Sequence, residues 1–122
     1  MTLRAMAGLT IALVFVPLAI AAKPPPARVQ ASADEFSLAV SRSSIRSGPA
    51  IIELVNYGED DHDLALRRVG GTRTYRIGIV HPGTTGQLET RLRAGRFVLW
   101  CTLADHRARG MRATLRVRAP ST

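Results

Sequence analysis

One stretch organises this sequence: WCTLADHRARGM, residues 100–111. It contains the only cysteine of the chain, Cys101, followed by His106 and Met111. Four residues separate Cys101 from His106, and four more separate His106 from Met111. A thiolate, an imidazole and a thioether at this spacing can point into one small space if a loop wraps around it. The set lacks one strong ligand for a soft or borderline transition metal, so we expect another part of the chain to supply it.

The first 22 residues have the composition of an export signal. Arg4 supplies a positive charge, residues 7–22 carry none, and residues 19–21 (Ala-Ile-Ala) form a small-x-small cleavage site. The alternative is an uncleaved N-terminal anchor, but the apolar run contains Pro17 and is short for a membrane span of roughly 20 residues. We therefore expect a signal peptide and an exported protein, located in the periplasm or cell envelope, secreted or tethered to the membrane.

Residues 23–33 are rich in proline and alanine and are expected to form a linker. Three consecutive prolines favour an extended backbone that lacks hydrogen-bond donors. The folded domain is expected at residues 34–122, as one small domain.

The domain sequence predicts strands and no helices. Segments with a two-residue apolar period or many β-branched residues are separated by glycine and proline, and no segment has a sustained helical period. Strands are predicted at 36–40, 50–56, 64–66, 75–80, 86–92, 96–102 and 113–117. Seven or eight short strands with this spacing are typical of an all-β antiparallel sandwich or barrel.

The charge balance is strongly basic. Seventeen basic residues against nine acidic ones give a net charge of +8. The arginines are scattered along the sequence and only 5% of residues are aromatic, so stacking platforms for bases are scarce and no nucleic-acid partner is expected. We favour biased codon usage in a GC-rich genome over nucleic-acid binding as the interpretation of the arginine excess. A basic surface still favours encounter with acidic partners.

Cys101 has three interpretations. As the only cysteine it cannot form an intramolecular disulfide, so it is a free thiol, usually an ordinary buried one, a partner in an intermolecular disulfide, or a metal ligand. Phe97, Leu99 and Cys101 share one face of a predicted strand, so the thiol points where core side chains point. The His106 and Met111 that follow favour the metal ligand.

Two histidines are candidates for the missing ligand. His62 lies between a polar loop, 56–61, and an apolar strand, whereas His81 lies in a Pro-Gly turn, where histidines are usually solvated. We favour His62. Two imidazoles, a thiolate and a weak axial thioether suit copper in an electron-transfer site. Zinc also binds histidine and cysteine, but methionine is a poor fourth ligand for it.

These motifs resemble those of the cupredoxins, the small blue copper proteins. The residues Asn56-Tyr57-Gly58 and His62-Asp63-Leu64 look like the first-histidine motif of the family, and Trp100-Cys101, His106 and Gly110-Met111 look like its ligand loop. The gap of four residues between Cys and His is similar to that of azurins, auracyanins and rusticyanins. The resemblance covers about residues 34–117.

The resemblance implies a cupredoxin-like Greek-key sandwich with one type 1 copper ion near one end. His62, Cys101 and His106 would be the strong equatorial ligands and Met111 the weak axial one. His106 is expected at the exposed tip of the ligand loop.

Two residues depart from the family pattern. Asp63 stands where asparagine is frequent, and its side chain could accept hydrogen bonds from the cysteine loop while its charge lowers the reduction potential. Asp105 stands where glycine is frequent. Asp tolerates the left-handed backbone conformation better than most residues, so the loop can still form.

An electron carrier that cycles between Cu(I) and Cu(II) is the function implied by the resemblance. Leu103, Ala104 and Ala108 would form a small apolar docking patch around His106. Arg107 and Arg109 beside it would favour an acidic redox partner, such as a cytochrome or an oxidase. We expect a monomer.

Other functions fit some of the same features. A copper-binding protein for storage, delivery or resistance is the main alternative, although Met111 is the only methionine outside the signal segment, so a methionine-rich capture surface is absent. An exported sandwich without metal is a further alternative. An enzyme is not expected, because further copper ions need further ligands and only His81 would be left to supply them.

Overall fold

A computed structural model describes residues 1–2 and 11–121 of the chain. Within them it has one short helix, α1 (His106–Arg109), and nine strands: β1 (Ala27–Asp34), β2 (Ser37–Val40), β3 (Ser44–Arg46), β4 (Gly48–Asn56), β5 (His62–Arg68), β6 (Thr74–Val80), β7 (Thr85–Leu92), β8 (Gly95–Trp100) and β9 (Arg112–Arg118). All seven predicted strands are present, with ends shifted by at most two residues. The three-residue β3 was too short to give a recognisable period.

The predicted signal segment lies partly outside the described residues. Residues 3–10, which include Arg4 and the start of the apolar run, are not among them. Residues 11–26 have no regular secondary structure. No described helix is both long and apolar enough to cross a membrane.

The strands form two sheets that enclose one apolar core. The first sheet has the order β2-β1-β4-β7, and the second has the order β3-β9-β8-β5-β6. Side chains alternate between the two faces of a strand, so the inward residues of both sheets meet between them. Ile52 and Leu54 of the first sheet join Leu66, Phe97 and Leu115 of the second in this core. The predicted all-β sandwich is confirmed.

Two strand pairings differ from the predicted antiparallel arrangement. β1 runs parallel to β4, with Ala27 opposite Ala50, and β3 runs parallel to β9. Both sheets are therefore mixed. The two-residue period places side chains on faces but carries no information about the direction of the neighbouring strand, which explains the error.

The segment predicted as a linker contains a central strand, so the expected domain start at Asp34 is wrong. β1 lies between β2 and β4, and its inward side chains are buried: Ala27, Val29, Ala31 and Ala33. Only residues 23–26 remain as a linker. The sequence concealed this strand because alanine is a weak hydrophobic signal and the preceding prolines dominate the composition. The alternation of Ala or Val with Arg, Gln and Ser is nevertheless the period of a half-buried strand.

Enlarging a buried side chain of β1 should destabilise the protein. Ala31 is fully buried between the sheets, so Ala31→Leu should lower the free energy of unfolding by about 1–3 kcal/mol through overpacking. Urea unfolding measures this change. Arg28→Leu, on the outward face of the same strand, is the control and should change stability by less than about 1 kcal/mol, because it removes only a surface ion pair. Equal effects of the two variants would argue against a buried β1.

Candidate metal centre

His62, Cys101 and His106 converge at one end of the sandwich. β5 begins at His62, and its antiparallel neighbour β8 ends one residue before Cys101. The Cys101 Sγ atom lies 4.0 Å from Nδ1 of His62 and 3.6 Å from Nδ1 of His106. The three donor atoms all lie within 4.8 Å of one another. Two imidazole nitrogens and a thiol sulfur therefore surround one point, in an arrangement that can hold a metal ion.

All three donor side chains are shielded from solvent. His62 and Cys101 are fully buried and His106 is 8% exposed, so the expected exposed tip at His106 is wrong. The ring of Phe36 packs against His106 with 5.0 Å between ring centroids. The guanidinium of Arg109 in turn lies 3.6 Å above the Phe36 ring. Phe36 and Arg109 thus cover the side of the site that the sequence had suggested to be open.

Met111 is buried next to Cys101. The Cys101 amide donates to the Met111 carbonyl at 3.1 Å, and the Met111 amide donates to the His106 carbonyl at 3.0 Å. The side chain belongs to the same apolar cluster as Cys101. These contacts hold Met111 beside two of the three donors, and its role as the axial ligand stays a prediction.

The ligand loop contains one turn of helix, α1, which the sequence did not predict. Ala104 takes the positive φ of 42°, whereas Asp105, where we had considered a left-handed conformation, has a φ of −98°. Gly110 ends the helix with a φ of 128°, and a Cβ atom there would lie 2.8 Å from the Phe36 carbonyl oxygen. Gly110 is therefore required both by its backbone conformation and by the close approach of Phe36.

Solved structures with the same architecture include two auracyanins and an amicyanin. The dithionite-reduced auracyanin of Roseiflexus castenholzii has a TM-score of 0.60 and 16% identity, over 75% of this chain and 96% of its own. Auracyanin A of Chloroflexus aurantiacus, described as a "blue" copper protein, has a TM-score of 0.61 and 13% identity, over 77% and 100% of the two chains. Amicyanin of Paracoccus versutus has a TM-score of 0.54 and 16% identity, over 78% and 85%.

This chain has the cupredoxin fold. Identities of 13–16% establish the shared fold alone, and among the three descriptions copper is named for auracyanin A. No protein-family model matches the sequence, and a sequence search finds no matching curated protein.

Asp63 connects β5 to the ligand loop by hydrogen bonds, as its place in the cupredoxin motif suggested. The Thr102 amide donates to Asp63 Oδ1 at 2.6 Å, and the Thr102 hydroxyl donates to Oδ2. Both carboxylate oxygens are thus engaged directly after Cys101. The bonds fix the residue that follows the thiol and place a negative charge close to it.

Glu35 is a site residue that the sequence analysis missed. Its Oε1 atom accepts a hydrogen bond from His62 Nε2 at 2.9 Å. The carboxylate also accepts from the backbone amides of Asp60 at 2.8 Å and Glu59 at 2.9 Å. An ionised carboxylate only accepts, so the His62 proton lies on Nε2 and the lone pair of Nδ1 faces Cys101. Glu35 therefore orients His62 as a metal ligand requires.

The Glu35 carboxyl is held in its ionised form. The backbone hydrogen bonds from Asp60 and Glu59, with the contact to His62, lower the pKa of Glu35 from 4.5 to about 2. By contrast, burial raises the pKa of the Cys101 thiol. A metal ion that binds as expected would have to displace the proton of this thiol.

The signals for Glu35 were indirect. It lies in the turn between β1 and β2, 27 residues before His62, and β1 itself was not recognised. Gly58 was the better indication, because a Cβ atom there would lie 2.6 Å from Cδ of Glu35. Asn56 shapes the same loop without contacting Glu35: its Oδ1 accepts from the Gly58 amide at 2.9 Å, which is an Asx turn, and its buried Nδ2 donates to the Val80 carbonyl at 2.9 Å.

His81 lies apart from the three donors. Its Nδ1 is 2.7 Å from Oδ1 of Asp61, and both side chains are exposed. The preference for His62 over His81 as the donor nearest to Cys101 therefore agrees with the geometry.

Removing the Glu35 charge should destabilise the metal-free protein in a pH-dependent way. With a pKa near 4.5 when unfolded and about 2 when folded, the carboxylate contributes its full stabilisation above pH 4.5 and loses it as the pH falls through 2. Glu35→Gln should therefore lower the free energy of unfolding at pH 7, and the difference from the parent should shrink between these values. Urea unfolding across this pH range measures it. Glu89→Gln, in the middle of β7, is the control; a Glu35→Gln difference that does not change with pH would contradict the assignment.

Proposed function

We propose that this chain is an exported, mononuclear type 1 copper protein that carries single electrons between redox partners. The observation that carries the proposal is the buried convergence of His62 Nδ1, Cys101 Sγ and His106 Nδ1 within 4.8 Å. Two imidazoles and one thiolate are the strong donors of copper electron-transfer sites. Copper, when bound, would supply the Cu(I)/Cu(II) couple. The shared fold with auracyanin A, a "blue" copper protein, supports this choice of metal.

The surroundings of the donors suit a site that changes little between oxidation states. Glu35 holds the His62 ring, Asp63 holds Thr102 directly after Cys101, and the backbone of Met111 is bonded to Cys101. These contacts, which do not involve the metal, restrain His62 and the segment around Cys101. Met111 would be the weak axial ligand, because it is buried in the same apolar cluster as Cys101.

Storage or delivery of copper is the second candidate function. It requires ready exchange of the metal, usually through exposed donors. Here His62, Cys101 and Met111 are fully buried, which favours a resident ion over a transferred one. That the chain is not an enzyme stays an expectation from the sequence, in which only His81 would be left to supply ligands for further copper ions.

The redox partner would dock on the ligand loop. Ala104 and Ala108 are exposed, and Leu103 is partly buried against the core. Arg107 lies 4.6 Å above the Trp100 ring and Arg109 lies above Phe36, so both guanidiniums are held at the surface near His106. We infer a partner with carboxylates facing these two arginines, of the cytochrome or oxidase type, and a monomeric carrier.

Export to the periplasm or cell envelope is proposed from residues 1–22. The described part of this segment leaves large apolar side chains in water, including Phe15, Leu18 and Ile20. We expect such a segment either to be removed by cleavage or to lie in an apolar environment.

Copper titration tests the proposed function. One equivalent of Cu(II) should give the purified protein an intense visible band from charge transfer between the Cys101 thiolate and copper. Cys101→Ser should abolish the band, whereas His81→Ala, the control, should retain it. A colourless protein, or a band that survives Cys101→Ser, would refute the proposal. Rapid loss of copper to a weak chelator would favour delivery over electron transfer.

The charge of Asp63 should lower the reduction potential of the copper protein. Asp63→Asn retains an oxygen that can accept from the Thr102 amide but removes one negative charge, so the potential should rise, on the order of 50 mV for a charge several ångströms from the metal. A spectroscopic redox titration measures the change. Asp61→Asn is the matched control, because Asp61 contacts His81 and not the cysteine loop. Equal shifts in both variants would show that the Thr102 contact is irrelevant.

A further inference from the structure

The end of the sandwich opposite the donors is strongly basic. It is formed by the ends of β3, β7 and β9 and by the starts of β4, β6 and β8. We call it the basic end and define it by six exposed arginines: Arg42, Arg46, Arg73, Arg91, Arg93 and Arg118. Four of them, Arg46, Arg73, Arg91 and Arg93, line one groove, and no carboxylate is among the described residues that line it.

The acidic residues lie mainly at the donor end. Seven of the nine lie at the end of β1 or in the turn after it, in the β4–β5 loop, near the start of β5 or in the ligand loop: Asp34, Glu35, Glu59, Asp60, Asp61, Asp63 and Asp105. The other two, Glu53 and Glu89, lie in the middle of β4 and β7. The six arginines of the basic end are thus far from most of the carboxylates. The donor end has seven carboxylates and three arginines, Arg107, Arg109 and Arg112, two of which lie on the ligand loop where we place the redox partner.

The N-terminal segment leaves the domain at the basic end. Pro24 and Pro25 line the arginine groove, and Arg46 Nη2 donates to the Pro25 carbonyl at 2.6 Å. The residues before them carry apolar side chains that are largely exposed to solvent: Leu13 is 83% exposed, Phe15 88% and Ile20 91%. An apolar segment and a cluster of cations therefore meet at one end of the molecule.

We propose that the basic end binds the anionic headgroups of a lipid membrane. Guanidinium groups pair with phosphate oxygens in a two-point geometry, and cations next to a membrane-inserting segment are attracted to anionic lipids. In the chain that retains the apolar segment, the segment favours a membrane over a nucleic acid as the occupant, because a nucleic acid would leave it in water. The basic end and the apolar segment would therefore both bind the same membrane surface. If the segment is cleaved, the basic end still provides the electrostatic part.

Binding through the basic end would orient the donor site relative to the membrane. With the basic end on the membrane, His106, Arg107 and the ligand loop face away from it. The carboxylates of the donor end are repelled by the same headgroups and reinforce this orientation. The proposal does not depend on the bound metal, so it can fail or succeed independently of the proposed electron transfer.

Vesicle binding of the full chain tests the proposal. The protein is mixed with vesicles of phosphatidylcholine alone, or of equal parts phosphatidylcholine and phosphatidylglycerol, and the bound fraction is measured by flotation. Binding to the anionic vesicles should be tighter and should weaken as salt is added. Arg46→Gln/Arg73→Gln/Arg93→Gln should reduce it on the order of 100-fold, from about fivefold per arginine. Binding to phosphatidylcholine alone, driven by the apolar segment, should not change.

A variant with the same loss of charge at the donor end is the matched control. Arg107→Gln/Arg109→Gln/Arg112→Gln should keep most of the preference for anionic vesicles, and circular dichroism checks that each variant is folded. Equal losses in the two triple variants would reduce the effect to net charge and overturn the proposal. So would equal binding of the unmodified chain to both vesicle types, or binding to duplex DNA without binding to anionic vesicles. If a triple variant does not fold, the single variants Arg46→Gln and Arg107→Gln replace it, and the proposal requires a loss of about fivefold for Arg46→Gln and a smaller one for Arg107→Gln.

Discussion

The antiparallel pairing of β5 with β8 is the constraint on which the donor site depends. Ala65 lies opposite Trp100, so His62, three residues before Ala65, reaches the same end of the sheet as Cys101. β9 pairs with the other edge of β8 and brings Met111 beside Cys101. Donors that are 39 residues apart in sequence are thereby fixed by backbone hydrogen bonds within one sheet. The sheet, and not the metal, brings them together.

The other sheet completes the site through one side chain. Glu35 follows β1 of the first sheet and accepts a hydrogen bond from His62, the first residue of β5 in the second sheet. The same carboxylate binds the backbone of the β4–β5 loop, where the chain passes from one sheet to the other. Phe36, next in the chain, packs on His106. The two histidines are thus restrained by neighbouring residues of a single turn.

The sequence was most informative where a residue type is rare. A single cysteine, two well-spaced partners and a histidine at a strand start predicted the donor cluster, and glycine and proline turns predicted seven strands. It was least informative where the relevant contacts are distant and the residues common. β1 is built on alanines, Glu35 is one acidic residue among nine, and Ala104 takes a positive φ that an alanine in a sequence does not announce. The separation of charge between the two ends likewise arises only when the strands are placed in space.

X-ray absorption at the copper edge of the copper-loaded protein would identify the atoms that bind the metal. We expect one short copper–sulfur bond from Cys101 and two nitrogen bonds from the imidazoles of His62 and His106. Cys101→Ala should remove the short sulfur bond from the spectrum. A first shell of nitrogen and oxygen alone in the unmodified protein would contradict the account, because copper would then be bound somewhere other than between the three buried donors.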